Sequence, residues 1–463
     1  MATFLQKLSD LAHGDVLAEG PALEPYCRDW AGRDLGRPLA VVRPRSTAEV
    51  CAIVKLAHDC RVTVVPSGGR TGVVRGTYAD RALVISLERL KAIRRISQEA
   101  NTLTVEAGLT IAEVQAVAWD HRQRFPLSFG AEGSAQIGGA LSTNAGGTNA
   151  LRFGTARDLC LGLEAVLPDG RLLNELSSLR KSNTGLDLKQ LFIGTEGTLG
   201  IITAATLRLF PMEGPRTVVL AAVPDADAAA RLLRKLSSSA NHAVEAAEFM
   251  SRSFVAALSE KGGVRLPFAA PTDLLLLEIE QPSSAPDGSP SAGETVEGLL
   301  AAAFEDADVL DAVIATSEAQ RKAFWAIRER AAEVAFSRHP ALATDISVPT
   351  SSVAPFIDQA HAIRRAIDPA SDAMAIAHLG DGNVHYTIWP ASNSTDLLQR
   401  LELEIEALAV AMGGSFSAEH GIGRDKLAAM ERFKDPVNLD TMRRIKTALD
   451  PHNLMNPGKV YPA

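Results

Sequence analysis

The chain is predicted to fold as an α+β protein of two main parts, on three observations. Its 463 residues exceed what one hydrophobic core supports, so at least two domains are expected. Strand and helix signals alternate through the first third and are interrupted by Gly-rich loops. Near Pro211-Met-Glu-Gly-Pro215 the character changes, and a second region of β/α alternation begins.

Each element follows from local signals. Leu39–Val42 reads as a strand, and Ser46-Thr-Ala-Glu49 has the spacing of a capping box that opens a helix to about Asp59. Val62–Val65 is the next strand and runs straight into Pro66-Ser-Gly-Gly-Arg-Thr-Gly72. Leu83–Ser86 and Thr102–Glu106 are further strands, and Thr110-Ile-Ala-Glu113 caps a helix to about His121. Gly- and Asn-rich loops fill 130–155, and Leu163–Gly170 is a strand closed by an Asp-Gly turn. In the second region, Val218–Val223 reads as a strand, 225–239 as an Ala-rich helix and Glu318–Ala335 as an amphipathic helix. The polar stretch Ser283–Gly293 is expected to be a tolerated insertion and not a site. Asp440–Leu449 is a helix followed by a rigid loop, Asp450–Lys459. No repeat or coiled coil is apparent.

Bulk properties narrow the function. A net charge of −8 argues against a nucleic-acid-binding surface and against an anionic membrane. Cys27, Cys51, Cys60 and Cys160 show no C-x-x-C spacing, which suggests reduced thiols in a cytoplasmic protein. The N-terminal residues show no basic segment followed by an apolar run, so no secretory signal is expected. The longest apolar run, Leu274–Leu277, is far shorter than a membrane span.

The loops carry chemistry. Pro66, Ser67, Gly68, Gly69, Arg70, Thr71 and Gly72 follow a strand, and glycines there let successive N–H groups turn towards an anion. Two similar segments come later: Gly130–Gly139, running into Ser142–Gly147, and Gly194–Thr203. Three such loops point to a long, phosphate-bearing ligand wrapped by backbone. Neither G-x-G-x-x-G nor G-x-x-x-x-G-K-[ST] is present, so a Rossmann fold and a P-loop are unsupported.

Two more motifs concentrate metal-ligand chemistry. Ala375–Trp389 reads as a hairpin turning at Gly380-Asp-Gly-Asn383, which brings His378 and His385 together, and Ser417-Ala-Glu-His-Gly421 adds Glu419 and His420. A lone histidine is more often a structural residue. Here three of the ten histidines fall in two Gly-punctuated motifs, and one division that suits this chemistry puts His378, His385 and Glu419 on a divalent cation with His420 as a general base.

Taken together, Pro66–Gly72, Ile137–Gly147, Leu188–Ile202, His378–His385, Ser417–Gly423 and Asn453–Lys459 resemble the FAD-linked D-2-hydroxy acid dehydrogenases, which are flavoproteins of the vanillyl-alcohol-oxidase/p-cresol-methylhydroxylase type. The resemblance runs from about residue 39 to 459. It implies a two-part FAD-binding domain (1–213 and a returning segment, 421–463) and an α/β substrate or cap domain (214–420) carrying the metal hairpin. Pro66–Gly72 would wrap the FAD pyrophosphate. Gly133, Ser134, Ile137, Gly138, Gly139, Thr143, Asn144, Gly146 and Gly147 would line the cofactor, Glu196, Gly197 and Ile202 would hold its adenosine side, and Asn456 would reach the flavin. Arg70 stands where some relatives attach FAD to histidine, so the FAD is expected to be non-covalent.

The resemblance further implies Zn²⁺, or Mn²⁺, on His378, His385 and Glu419, with His420 taking the hydroxyl proton as hydride passes to the flavin. Arg328 would clamp the substrate carboxylate, and Asn383 would orient the substrate or support the metal. Relatives acting on hydroxyglutarate have a threonine and a lysine four and fifteen residues after that arginine. This chain has Ala332 and Ala343, so a D-lactate-like or apolar-tailed substrate is expected, with D-2-hydroxyglutarate or D-malate as the alternative and Arg330 or Arg338 as replacement anchors. A flavin subunit of a glycolate-oxidase-like complex is a further alternative. The expected partners are an electron acceptor (an electron-transfer flavoprotein, a quinone or a cytochrome) and, compatibly, a second copy in a homodimer.

Overall fold

Ser46 caps the helix Thr47–Asp59 by accepting the Glu49 N–H at 3.2 Å, as its spacing predicts. Val50, Ile53, Val54 and Ala57, one face of that helix, are buried against Val42, Leu83 and Ile85. The computed structural model describes residues 2–13, 15–212, 216–238, 243–268, 271–280 and 292–462. Residues 283–291 of the expected insertion and 213–215 of the expected boundary lie outside the described residues.

The chain divides into two compact units. The first comprises Met1–Gly147, Gly154–Met212 and Glu419–Ala463, and the second comprises Thr148–Phe153 and Glu213–Ala418. Within the first unit, Ala40–Val42, Leu83–Ser86 and Val64–Ser67 form a parallel set, edged by Val16–Leu17. A separate antiparallel sheet has the order Ile93–Ser97, Thr102–Glu106, Ile201–Arg208, Cys160–Val166, Leu172–Glu175. The C-terminal segment returns to the free edge of Val64–Ser67, where the Val64 N–H donates to Leu454 O and the Asn456 N–H to Val64 O. That pairing sets Asn456 beside the Pro66–Gly72 loop.

The second unit is built on a seven-stranded antiparallel sheet. Across it the strands are Asp311–Ile314, Arg216–Val223, Asp273–Glu280, Ala243–Met250, Asp372–His378, Asn383–Trp389 and Leu342–Ser347. Alternation sorts its side chains into two layers. One face, with Val219, Leu277, Ala375 and Tyr386, packs on the helices Ala226–Ser238, Val353–Ile367 and Thr395–Ala411. The other, with Leu220, Leu276 and Ile376, packs on Arg252–Lys261 and Glu318–Glu329. The register also sets Glu248 opposite His378, and His385 opposite Asp345, on this second face.

The stretch expected as one helix over Glu318–Ala335 is two, Glu318–Glu329 and Ala331–Ala335, meeting at Arg330. Arg328 and Ala332 therefore do not share a continuous helical turn. Among the described residues, no helix is long and apolar enough to cross a membrane.

Candidate active site

In the first unit the three Gly-rich loops converge. A Cβ on Gly69 would lie 2.0 Å from Ser134 O, one on Gly197 would lie 2.4 Å from Pro66 Cγ, and one on Gly138 would lie 2.8 Å from Ala107 Cβ. These approaches admit only hydrogen, so glycine is required where the loops meet. Ile202 lies in the strand Ile201–Arg208, next to Gly138. Among the described residues, no N–H from 69 to 72 donates to a protein acceptor. The buried Ser67 Oγ, Gln136 Oε1 and Asn456 Oδ1 likewise have no protein partner. Backbone donors suit a pyrophosphate, and buried orphaned acceptors suit the N–H and O–H groups of a nucleotide and a flavin. The residues present fit FAD. Arg70 stacks over the Tyr26 ring, 4.4 Å from its centroid.

Not every expected cofactor residue points its side chain at a ligand. Thr143 Oγ1 donates to Gly139 O, and Asn144 Oδ1 accepts from Thr155 Oγ1 and Arg157 N. Glu196 is used by the protein throughout. Its N–H donates to Ser142 O, its carbonyl accepts Asn456 Nδ2, and its carboxylate accepts the Ile422 N–H at 2.7 Å and the Gly423 N–H at 2.9 Å. Burial pushes this carboxyl up, and the two N–H groups oppose the shift. The residues Glu196 holds lie two and three positions after His420. Glu419 itself extends over the second loop, with Oε2 3.4 Å from where a Cβ on Gly146 would stand.

Lys459 closes the C-terminal turn by donating to the Tyr78 and Pro457 carbonyls. Burial, with Arg424 beside it, lowers its pKa from 10.5 to about 8, and Glu196 opposes the shift. The folded chain therefore holds fewer protons than the unfolded chain between those values, and stability rises with pH across that window. Relative to Lys459→Met, the parent should gain about 3 kcal/mol between pH 8 and 10.5 in denaturant titrations. A pH-independent difference would refute this.

In the second unit the hairpin forms as its turn residues predict, with Gly382 at φ +86°. His378 and His385 face each other with ring centroids 5.5 Å apart. His378 Nδ1 is 2.7 Å from Glu248 Oε1, and Arg328 Nε donates to Glu248 Oε2 at 2.6 Å. The Glu248 carboxyl is fully enclosed. Burial would raise its pKa, yet the charges of His378 and Arg328 outweigh that and hold it down to about 2. Arg328 Nη2 lies 3.5 Å from His378 Nε2.

A second buried carboxylate completes the arrangement. Asp345 Oδ1 accepts from Asn383 Nδ2 at 2.8 Å and lies 3.7 Å from His385 Nδ1, while Oδ2 accepts the Ala418 N–H at 3.2 Å. Ala418 directly precedes Glu419 in the chain. Both Asn383 Nδ2 donations are taken, by Asp345 and Ile346 O, while the buried Oδ1 has no protein partner. Asn383 thus offers an acceptor, which suits a hydroxyl better than a carboxylate.

The first unit therefore gathers the expected cofactor residues with Glu419 and His420, and the second gathers His378, His385, Arg328 and Asn383. The carboxylates that organise the second group, Glu248 and Asp345, were not singled out from sequence. A partial signal for Glu248 was present: the largely apolar strand Ala243–Met250 carries two charged residues, Glu245 and Glu248. Arg330 and Arg338, the candidate replacement anchors, are engaged with protein partners. Arg330 is paired bidentately with Glu333 and bound to Gly262 O, and Arg338 pairs with Asp372 and Glu260. Ala343 and Ala332 are exposed.

Comparison with known proteins bears on this arrangement. The family described as FAD linked oxidases, C-terminal domain, matches residues 213–460, and a FAD binding domain matches 38–175. D-2-hydroxyglutarate dehydrogenase of Xanthomonas citri pv. viticola is 36% identical over 95% of this chain and 92% of its own. The mitochondrial D-2-hydroxyglutarate dehydrogenase of Bos taurus is 33% identical over 99% of this chain and 83% of its own, and the D-2-hydroxyglutarate dehydrogenase of Stutzerimonas stutzeri is 33% identical over 97% of each. Among solved structures, p-cresol methylhydroxylase with substrate bound aligns at a TM-score of 0.75 with 16% identity, over 99% of this chain and 96% of that one. The 4-ethylphenol oxidase from Gulosibacter chungangensis aligns at 0.70 with 18% identity, over 100% and 97%. At such identities the solved structures show the fold alone, which is the p-cresol-methylhydroxylase-type flavoprotein fold.

Proposed function

Because the chain belongs to the FAD-linked oxidase family, as an oxidoreductase acting on a CH–OH donor, we propose that it oxidises a D-2-hydroxy acid to the 2-oxo acid with His420 as the base. The observation that carries this reading is the placement of His378, with Glu248 on one ring nitrogen and the Arg328 guanidinium beside the other. A carboxylate on one imidazole nitrogen fixes the ring so that the other can ligate a metal. An arginine next to that ligand atom suits a substrate whose carboxylate and hydroxyl are on adjacent carbons: the guanidinium would take the carboxylate and leave the hydroxyl towards His378.

On this reading His378, His385 and Glu419 hold the cation, Zn²⁺ or Mn²⁺, and Asp345 orients His385 and Asn383. A cation held there would supply Lewis acidity, lowering the pKa of a substrate hydroxyl. FAD, bound non-covalently, supplies the hydride acceptor. His420 accepts the hydroxyl proton, Arg328 fixes the carboxylate, and the Asn383 acceptor aligns the hydroxyl.

The names of the relatives support D-2-hydroxyglutarate as substrate. A second reading, a D-lactate-like or apolar tail, is favoured by Ala332 and Ala343 together with the engagement of Arg330 and Arg338, since a distal carboxylate would find no such partner there. Anaerobic bleaching of the flavin by D-2-hydroxyglutarate, D-malate, D-lactate and D-mandelate, each against its L-enantiomer, tests both. Bleaching by any D-acid supports the reaction, the best substrate decides the tail, and no bleaching by any of them refutes the reading. Chelation should abolish bleaching with flavin retained, and Zn²⁺ or Mn²⁺ should restore it.

A further inference from the structure

We infer that Glu196 is a positioning residue for His420, holding the segment that carries the base onto the cofactor-binding unit through the backbone of Ile422 and Gly423. The inference rests on the reading of His420 as the base. Glu196 belongs to the Gly194-Thr-Glu-Gly197 turn and adopts φ +53°, a left-handed conformation that non-glycine residues take up only when their surroundings enforce it.

Those surroundings are visible. Glu196 Oε1 accepts the Ile422 N–H at 2.7 Å and the Gly423 N–H at 3.1 Å, and Oε2 accepts Gly423 again at 2.9 Å. Gly421 and Gly423 both have positive φ, +83° and +50°, so the chain after His420 curls its N–H groups around one carboxylate, as nests do around anions. A Cβ on Gly421 would stand 2.8 Å from Glu196 Oε1, so the curl leaves no room for a larger residue. From the other side, Asn456 Nδ2 holds the Glu196 carbonyl at 2.7 Å and the Glu196 N–H holds Ser142 O at 2.8 Å. Glu196 therefore ties three segments to the turn after His420: the second Gly-rich loop, the third, and the C-terminal return. Charge-assisted hydrogen bonds are about twice as strong as neutral ones, and a base held on a Gly-rich turn needs such an anchor to keep its ring in place.

The test is a double-mutant cycle read by anaerobic flavin reduction at saturating D-hydroxy acid. Glu196→Gln keeps the side-chain shape but turns one acceptor into a donor facing an N–H. It should retain FAD and lower the limiting reduction rate by roughly 10- to 100-fold, with KM little changed. On a His420→Ala background the same substitution should change the rate by less than about threefold, because a residue acting through His420 has nothing left to position. Equal slowing in both backgrounds, or no slowing in the parent, overturns the inference. If Glu196→Gln fails to hold FAD, Glu196→Asp is measured in the same way, and loss of FAD from both overturns it by making Glu196 part of the cofactor site. A normal rate in His420→Ala alone would instead refute the reading of His420 as base.

Discussion

His420→Ala should purify yellow and reduce its flavin roughly 10²–10⁴-fold more slowly than the parent, the span typical of losing a positioned general base. The effect should appear in the limiting rate and hardly in substrate affinity, because the groups proposed to bind substrate, Arg328 and Asn383, are untouched. The flavin should stay because the structure ties the neighbours of His420 independently of its imidazole. Ala418 is bound to Asp345, and Ile422 and Gly423 are bound to Glu196. Alanine therefore removes the proposed proton acceptor without releasing the turn that carries it. Stopped-flow reduction under anaerobic conditions, with FAD content determined on the same samples, checks both halves of the expectation. A rate within a few-fold of the parent would move the base elsewhere. A colourless protein would mean that the segment shapes the cofactor site directly.

How much of this was legible in the sequence depended on whether the signal was local. Ser46 and Thr110 mark their helices because a cap needs only the next three residues. The hairpin that joins His378 to His385 was readable from Gly380-Asp-Gly-Asn383 for the same reason. Glu248 and Asp345 were not, because their roles come from register. Glu248 meets His378 only once Ala243–Met250 pairs with Asp372–His378, two strands more than a hundred residues apart. Asp345 meets His385 only through the pairing of Leu342–Ser347 with Asn383–Trp389. The break at Arg330 was equally hidden, since helical spacing of apolar residues continues across it. Glu196 shows a third kind of difference. Its motif drew attention to it, yet its partners lie 226 and 227 residues further on, so the residue could be picked out from sequence while its use could not.

Arg328 offers the sharpest separation of structural from catalytic function. Its side chain is 11% exposed, and its partner Glu248 is 1% exposed. Arg328→Met would leave that carboxylate buried without its guanidinium partner. Breaking a buried pair in this way costs about 3–5 kcal/mol, so a marked fall in melting temperature is expected. Activity should fall as well, by roughly 10²–10³-fold in kcat/KM, since the proposed partner of the substrate carboxylate is lost. Stability loss alone could produce the second effect, and a compensating change distinguishes the two. Arg328→Met combined with Glu248→Gln replaces the ion pair with a neutral one, and the Gln oxygen can still accept from His378 Nδ1. The double variant should recover most of the lost stability while kcat/KM stays low, because the guanidinium proposed to receive the substrate carboxylate is still absent. Recovery of activity along with stability would show that Arg328 serves only to neutralise Glu248, and the carboxylate clamp would have to be sought on another residue.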